Sequence, residues 1–458
     1  MYEHDTIAAI ATPPGEGGVA IVRISGADAE AIAERIFIRS GKKSSALRSH
    51  TLYHGKIRDP RSQRLVDEVL LTVMRRPRSY TGENVVEIHG HGGAFISRQV
   101  LGLVLSQGAR QAEPGEFTKR AFLNGRLDLT QAEAVLDLIR ARTPKSAELA
   151  LQQTRGELSN WVQELREELI QILVQVEAAI DFPEEDIELL RRPEMLLRIS
   201  RLREKIHDIL ITYDWAKLFR EGARVCICGR PNVGKSSLLN ALLGAERVIV
   251  TPIAGTTRDV IEDSINLDGL PAVLWDTAGV RDSDDQVERL GVSLTREHIA
   301  KSDLVLVVLD GSEPLAVEDH KLLGEAAHRK ALIAVNKSDL AQRFGAEDLT
   351  SFAGAAQVRS VSAKTGQGIA ELKESLRNLL LVSKVDAPVV ITNLRHRAAL
   401  ERAEASLSRA STSLAEKYAP EFVAVDLNDT RAALDEVTGM IGNSEILERI
   451  FAEFCIGK

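Results

Sequence analysis

The hydrophobic rhythm of the chain changes along its length. Over residues 1–120, short apolar runs at Thr6–Ala11, Gly18–Ser25, Glu68–Met74 and Asn84–His89 are separated by Pro-Pro-Gly and Thr-Gly turn signals, which predicts strands. Helical stretches near Ala27–Phe37 and Ala94–Gln107 make this region an α+β unit. From Leu127 to Phe219 the period lengthens. Val162, Leu165, Leu169, Ile172 and Val176 recur at intervals of three and four, one apolar stripe along a helix. Asp181-Phe182-Pro183-Glu184-Glu185 interrupts that helix, because proline has no N–H to continue the hydrogen bonding.

Between 223 and 380 strands alternate with helices, the pattern of a doubly wound, mostly parallel sheet. The strands are predicted at Arg224–Cys228, Val260–Leu267, Ala272–Trp275, Leu304–Leu309, Leu332–Val335 and Val358–Val361, with a hairpin-like turn at Asp268-Gly269. After Pro388 the chain reads as helical to Phe454. Both helical blocks have an apolar face to bury. They are expected to pack together as one discontinuous helical domain with the α/β domain inserted between its halves. The expected division is 1–120, 121–219, 220–382 and 383–458.

Composition narrows the class. A chain of 458 residues is too long for one core, and its 4% aromatic content favours helices over an all-β architecture. No apolar stretch is long enough to cross a bilayer, and Met1 to Ala11 lacks a basic region followed by an apolar one, so a cytoplasmic protein is expected. The net charge is −8, yet residues 1–120 hold 17 Lys and Arg against 13 Asp and Glu, a balance of +4. Phosphate contacts are therefore expected to be local or supplied by a partner. Three cysteines, Cys226, Cys228 and Cys455, argue against a disulfide framework. Cys226 and Cys228 share one face of a predicted strand and read as core residues rather than metal ligands.

The chemistry concentrates in the α/β region. Gly229-Arg230-Pro231-Asn232-Val233-Gly234-Lys235-Ser236 follows a strand, precedes the helical Ser237–Leu243, and matches the phosphate-binding pattern G-x-x-x-x-G-K-[ST]. Its glycines let backbone N–H groups face phosphate oxygens, Lys235 meets the outer phosphates, and the Ser236 hydroxyl suits Mg²⁺. Asp276-Thr277-Ala278-Gly279 follows another strand, where Asp276 can hold Mg²⁺ through water and the Gly279 amide can meet a γ-phosphate. Asn336-Lys337-Ser338-Asp339 and Ser362-Ala363-Lys364 complete the set. The Asp339 carboxylate suits two guanine N–H donors that adenine lacks. Four elements in this order, each at a strand end, point to a GTPase. Val280 stands where many small GTPases carry a glutamine that positions water, and Glu288 is the carboxylate candidate for polarising it.

At this point the chain resembles the MnmE (TrmE) family of bacterial tRNA-modification GTPases over essentially its whole length. Beyond the GTPase motifs, the resemblance is carried by Pro13-Pro14-Gly15-Glu16-Gly17-Gly18, by Tyr80-Thr81-Gly82-Glu83 leading to His89-Gly90-His91-Gly92-Gly93, by Pro114 to Phe122, and by Cys455-Ile456-Gly457-Lys458. It implies an N-terminal α+β folate-binding and dimerisation domain, a discontinuous helical domain and an inserted P-loop GTPase domain. It also implies a homodimer that acts with the flavoprotein MnmG, which contributes FAD, to install a carboxymethylaminomethyl or aminomethyl group on C5 of the tRNA wobble uridine. A tetrahydrofolate derivative, in its 5,10-methylene or 5-formyl form, supplies the one-carbon unit.

Carried over by position, Arg23, Glu87, Arg126 and Lys458 match folate-contacting residues. Thr251-Pro252-Ile253-Ala254-Gly255-Thr256-Thr257 matches the switch loop, with Thr257 joining Ser236 on Mg²⁺, and with Asn232 and the carbonyls of Thr251, Ile253 and Thr256 facing K⁺. Cys455 is expected to serve as nucleophile or proton donor, or else to pack under the last helix. His89 and His91 stand among glycines and are expected in a tight, ligand-approaching turn rather than a metal site. The alternative function is a regulatory ribosome-assembly GTPase without modification chemistry.

Overall fold

The computed structural model describes residues 5–41, 46–181, 192–244, 263–276, 298–345, 348–349, 357–381, 387–440 and 444–458. The first unit is a seven-stranded sheet of β1 (Ile7–Ile10), β2 (Val19–Ser25), β3 (Phe37–Arg39), β4 (Leu52–Arg58), β5 (Leu65–Met74), β6 (Val85–His91) and β7 (Arg110–Gln111), in the order β3-β4-β5-β6-β2-β1-β7. Helices α1 (Ala29–Ile36) and α2 (Ala94–Ser106) cover one face, burying Ile32, Ile36, Val100 and Val104 with Ile24, Ile57, Leu71 and Ile88. Helix α3 (Glu116–Leu123) follows, and its Phe117 closes a smaller core with Ile7 and Ala9.

Three of these strands, β3, β4 and β7, were not expected from the sequence. In β4 the buried positions are Tyr53, Gly55 and Ile57, and a glycine in mid-strand reads as a breaker. The Phe37 ring explains it, because a Cβ at Gly55 would lie 2.3 Å from that ring. A second difference concerns the histidines. His89 and His91 lie within β6, and the turn begins only at Gly92.

Helices α4 (Leu129–Arg140), α5 (Pro144–Thr154), α6 (Glu157–Asp181), α7 (Arg192–Leu210) and α8 (Tyr213–Glu221) lead to the inserted domain. That domain holds β8 (Ala223–Cys228), α9 (Lys235–Leu243), β9 (Asp263–Leu267), β10 (Leu270–Asp276), β11 (Leu304–Asp310), α10 (Val317–Ala326), β12 (Ala331–Asn336), β13 (Gln357–Ser360) and α11 (Ile369–Leu380). Its sheet order is β13-β12-β11-β8-β10-β9, parallel except for the β9–β10 hairpin. Asp268 and Gly269 turn that hairpin at φ 49° and 93°, the left-handed conformation a two-residue turn uses. Cys226 and Cys228 are buried on one face with Val305 and Val307, while Val225 and Ile227 face the opposite core.

Helices α12 (Leu394–Ala415), α13 (Pro420–Thr438) and α14 (Ser444–Ala452) complete the chain. The α6 stripe Val162, Leu165, Leu169, Ile172 and Val176 shares one core with Ile199 and Leu202 of α7, Leu400 and Leu407 of α12, and Leu427 and Leu434 of α13. Each such side chain contributes about 1.5–3 kcal/mol on burial, which binds the two helical blocks into one domain. An ionic cluster fastens the points where the chain enters and leaves the insertion. Glu133 of α4 accepts from Arg395 Nε and Nη2 at 2.9 Å each and lies 2.7 Å from His396 Nε2, and Asp137 accepts from Arg220 Nε at 2.8 Å. Burial alone would raise the Glu133 carboxyl, but His396 and Arg395 outweigh it and hold the group down at about 2.

Candidate functional site

The phosphate loop leaves the carboxyl end of β8 between β11 and β10, where ligands of open α/β sheets bind. Two glycines are required by close approach. A Cβ at Gly229 would lie 2.3 Å from the Val308 carbonyl, and one at Gly234, which has φ +94°, would lie 2.3 Å from Asn336 Nδ2. Asn232 is exposed at φ 65°, and Val233 is buried. Lys235 opens α9 with its ammonium donating to the carbonyls of Gly229 at 2.7 Å and Arg230 at 2.8 Å. This holds a buried cation inside the loop that is to receive anions. Ser236 and Ser237 are exposed on the first turn of α9, where the helix dipole favours a phosphate.

The base-recognition elements meet this loop directly. Asn336, buried at the end of β12, donates Nδ2 to the Val233 carbonyl at 2.9 Å and accepts from the Ala363 amide at 3.0 Å. Asp339 accepts from the Ser362 hydroxyl at 2.6 Å, and that bond holds its carboxyl below the usual range, ionised and ready to accept two N–H groups. Lys337, at φ 62°, pairs with Asp310 at the end of β11 at 2.5 Å. Lys364 is exposed in the same loop. The fold thus brings together the phosphate loop, Asn336, Lys337, Asp339, Ser362, Ala363 and Lys364. Asp276 ends β10, opposite Ile227 of β8. Thr251 to Thr257, Thr277 to Gly279, and Glu288 lie outside the described residues.

A second polar cluster forms where the segment after α14 returns to the first sheet. Ile456 bridges Pro114, and the Phe117 amide donates to the Lys458 carbonyl at 3.2 Å. Arg23 and Glu87 face each other across β2 and β6, with Arg23 Nε donating to Glu87 Oε1 at 2.8 Å. Arg23 also donates to the Gly457 carbonyl at 3.2 Å and lies over the rings of Tyr80 and Phe117 at 5.3 and 5.6 Å. His89 Nε2 lies 3.2 Å from the other Glu87 oxygen. Burial and the neighbouring Arg23 push the Lys458 ammonium down from its ordinary value. Arg126 donates to the Ser79 carbonyl at 2.8 Å, next to Tyr80. Cys455, partly exposed, takes the Lys458 amide on its carbonyl at 3.3 Å. Sequence reasoning did not single out Tyr80, Phe117 or His89 as members of this cluster, although all three lie in the quoted motifs. His91 lies apart, paired through Nδ1 with the buried Asp67 at 2.6 Å.

Family models match at two places: "GTP-binding protein TrmE N-terminus" over residues 6–126 and "MnmE helical domain" over residues 129–455. The tRNA modification GTPase MnmE of Lactiplantibacillus plantarum is 45% identical over 460 residues, covering 100% of this chain and 99% of that protein. Its namesake from Heliobacterium modesticaldum is 47% identical over 463 residues, covering 99% of each. Among solved structures, the G domain of the T. maritima FeoB iron transporter is 28% identical, covering 34% of this chain and 98% of that one, with a TM-score of 0.27. The full-length relatives, joined to a phosphate loop bonded to a guanine motif, establish that the chain belongs to the MnmE (TrmE) family of tRNA modification GTPases.

Proposed function

We propose that this GTP hydrolase drives the folate-dependent addition of a carboxymethylaminomethyl or aminomethyl group to C5 of the wobble uridine, U34, of certain tRNAs. It does so in the cytoplasm as a homodimer, with MnmG and its FAD as partner. The four segments 1–120, 121–219, 220–382 and 383–458 serve as folate-binding, helical, GTPase and helical parts. The observation that carries the reading is the convergence of Arg23, Glu87 and Lys458 on one cluster beside Tyr80. A carboxylate there suits the amino-pteridine edge of a folate, while Lys458 and Arg126 suit its glutamate tail.

In the GTPase site, Lys235 exchanges the carbonyls of Gly229 and Arg230 for β- and γ-phosphate oxygens, and Asp339 accepts the guanine N–H groups. Ser236 and Thr257 would hold Mg²⁺, a Lewis acid that draws charge from the phosphates. The exposed Ser236 at the start of α9 fits that role. Glu288 orients the attacking water in place of a glutamine. Asn232, with the carbonyls of Thr251, Ile253 and Thr256, would hold K⁺, whose charge replaces an arginine finger worth about 10³–10⁵ in rate. Equal GTP turnover in KCl and NaCl would remove the potassium part. Cys455 serves the modification chemistry as nucleophile or proton donor. The folate reading is tested by titrating 5-formyltetrahydrofolate against the full chain and its Glu87→Ala and Lys458→Ala variants. Binding by the parent and its loss in both variants is expected, and parental affinity in both overturns the assignment.

A further inference from the structure

The pattern G-x-x-x-x-G-K-[ST] leaves its second position open, and here that position is Arg230, whose side chain pairs with α10. Arg230 Nε lies 2.9 and 2.8 Å from the two oxygens of Asp319, whose side chain is only 1% exposed, and Arg230 Nη2 lies 3.6 Å from Glu313. Asp319 is itself fixed at the start of α10, where it accepts from the Ala316 amide at 3.0 Å. The carbonyl of the same Arg230 accepts from the Lys235 ammonium. Arg230 is therefore held at its side chain by α10 and at its backbone by the phosphate-binding lysine.

We propose that Arg230 is a positioning residue of the GTPase: its ion pair with Asp319 pre-forms the first turn of the phosphate loop, so that nucleotide binds without first ordering it. A residue that touches no phosphate and only pre-orders the loop strengthens GTP and GDP binding equally, because both present the same α- and β-phosphates there. It leaves the chemical step at saturation less affected than affinity, since bound nucleotide itself re-forms the loop. A merely structural ion pair behaves differently. Losing it strands a buried carboxylate, which costs stability, and removing that charge as well restores stability with nothing else to repair.

The experiment measures binding of GDP and of a non-hydrolysable GTP analogue by fluorescence, kcat at saturating GTP, and the melting temperature, for the full chain and two variants. Arg230→Met is expected to weaken both nucleotides together by about tenfold or more, the scale of ordering one or two groups. The Arg230→Met/Asp319→Asn variant keeps an acceptor for the Ala316 amide and has no stranded charge. It is expected to recover the parental melting temperature while the affinity stays weak. Parental affinity in the double variant overturns the proposal, as does a fall in kcat at saturation with affinity unchanged. If Arg230→Met alone does not fold, the double variant decides.

Discussion

The side-chain amide of Asn336 donates to the main-chain carbonyl of Val233, so the Asn336–Asp339 motif is bonded directly to the phosphate loop. Its oxygen meanwhile accepts from Ala363. One buried side chain thus sets the spacing between the base and phosphate ends of the site. Asn336→Ala leaves the Val233 carbonyl and the Ala363 amide without partners, at about 1–3 kcal/mol for each buried group. GTP and GDP affinity should fall by at least tenfold in a fluorescent-nucleotide titration, and parental affinity would show that the bond has no part in binding.

Asp339, held ionised by Ser362, is the proposed double acceptor for guanine. Asp339→Asn replaces one acceptor with a donor, which suits the extra carbonyl of xanthine. Preference should move from GTP toward xanthosine triphosphate by roughly 10²-fold or more, in proportion to the unpaired groups created. An unchanged affinity ratio counts against the assignment.

The Glu133 cluster predicts an acid-sensitive junction. The carboxyl titrates at about 2 in the folded chain against an ordinary 4.5. Its folded value is depressed, so the stability it contributes is complete above about 4.5 and is lost as pH falls toward about 2. Glu133→Gln should lower the melting temperature at neutral pH, and the loss should shrink between pH 4.5 and 3. A constant difference across that range contradicts the reading.

Gly457 has φ +97°, and a Cβ there would lie 2.4 Å from the Ile10 carbonyl. Gly457→Ala should therefore displace the 455–458 tail from Arg23, while GTP hydrolysis stays near the parental rate. Folate binding and tRNA modification should both fall. Cys455→Ser, which leaves the tail in place, should lower modification alone. Full modification by Cys455→Ser in a reconstituted assay with MnmG, folate and tRNA would rule out a chemical thiol.

How much of this was legible in the sequence depended on whether the cause was local. The phosphate loop, the Asn336–Asp339 motif and the α6 stripe are set by neighbouring residues and by helical period, and they were read in place. The strand β4 was not, because Gly55 is explained only by the Phe37 ring across the sheet. His89 and His91 were expected in a turn because their flanking glycines signal one. Two contacts account for those glycines: a Cβ at Gly90 would meet Asp67, and one at Gly92 the Gly17 carbonyl. The meeting of Arg23, Tyr80, Phe117 and Lys458 joins residues hundreds of positions apart, and only the resemblance linked two of them beforehand. Arg230 gave no signal, since its partner Asp319 lies 89 residues away.

GTP turnover by this chain is proposed to serve modification of the wobble uridine. The direct measurement is mass analysis of wobble nucleosides in tRNA from cells lacking the chain, complemented by the parent or by Lys235→Ala, which removes the ammonium held inside the phosphate loop. The account predicts that the C5-modified nucleoside disappears without the chain, returns with the parent, and stays absent with Lys235→Ala. Unchanged modified nucleoside in cells lacking the chain, or full restoration by Lys235→Ala, would contradict it.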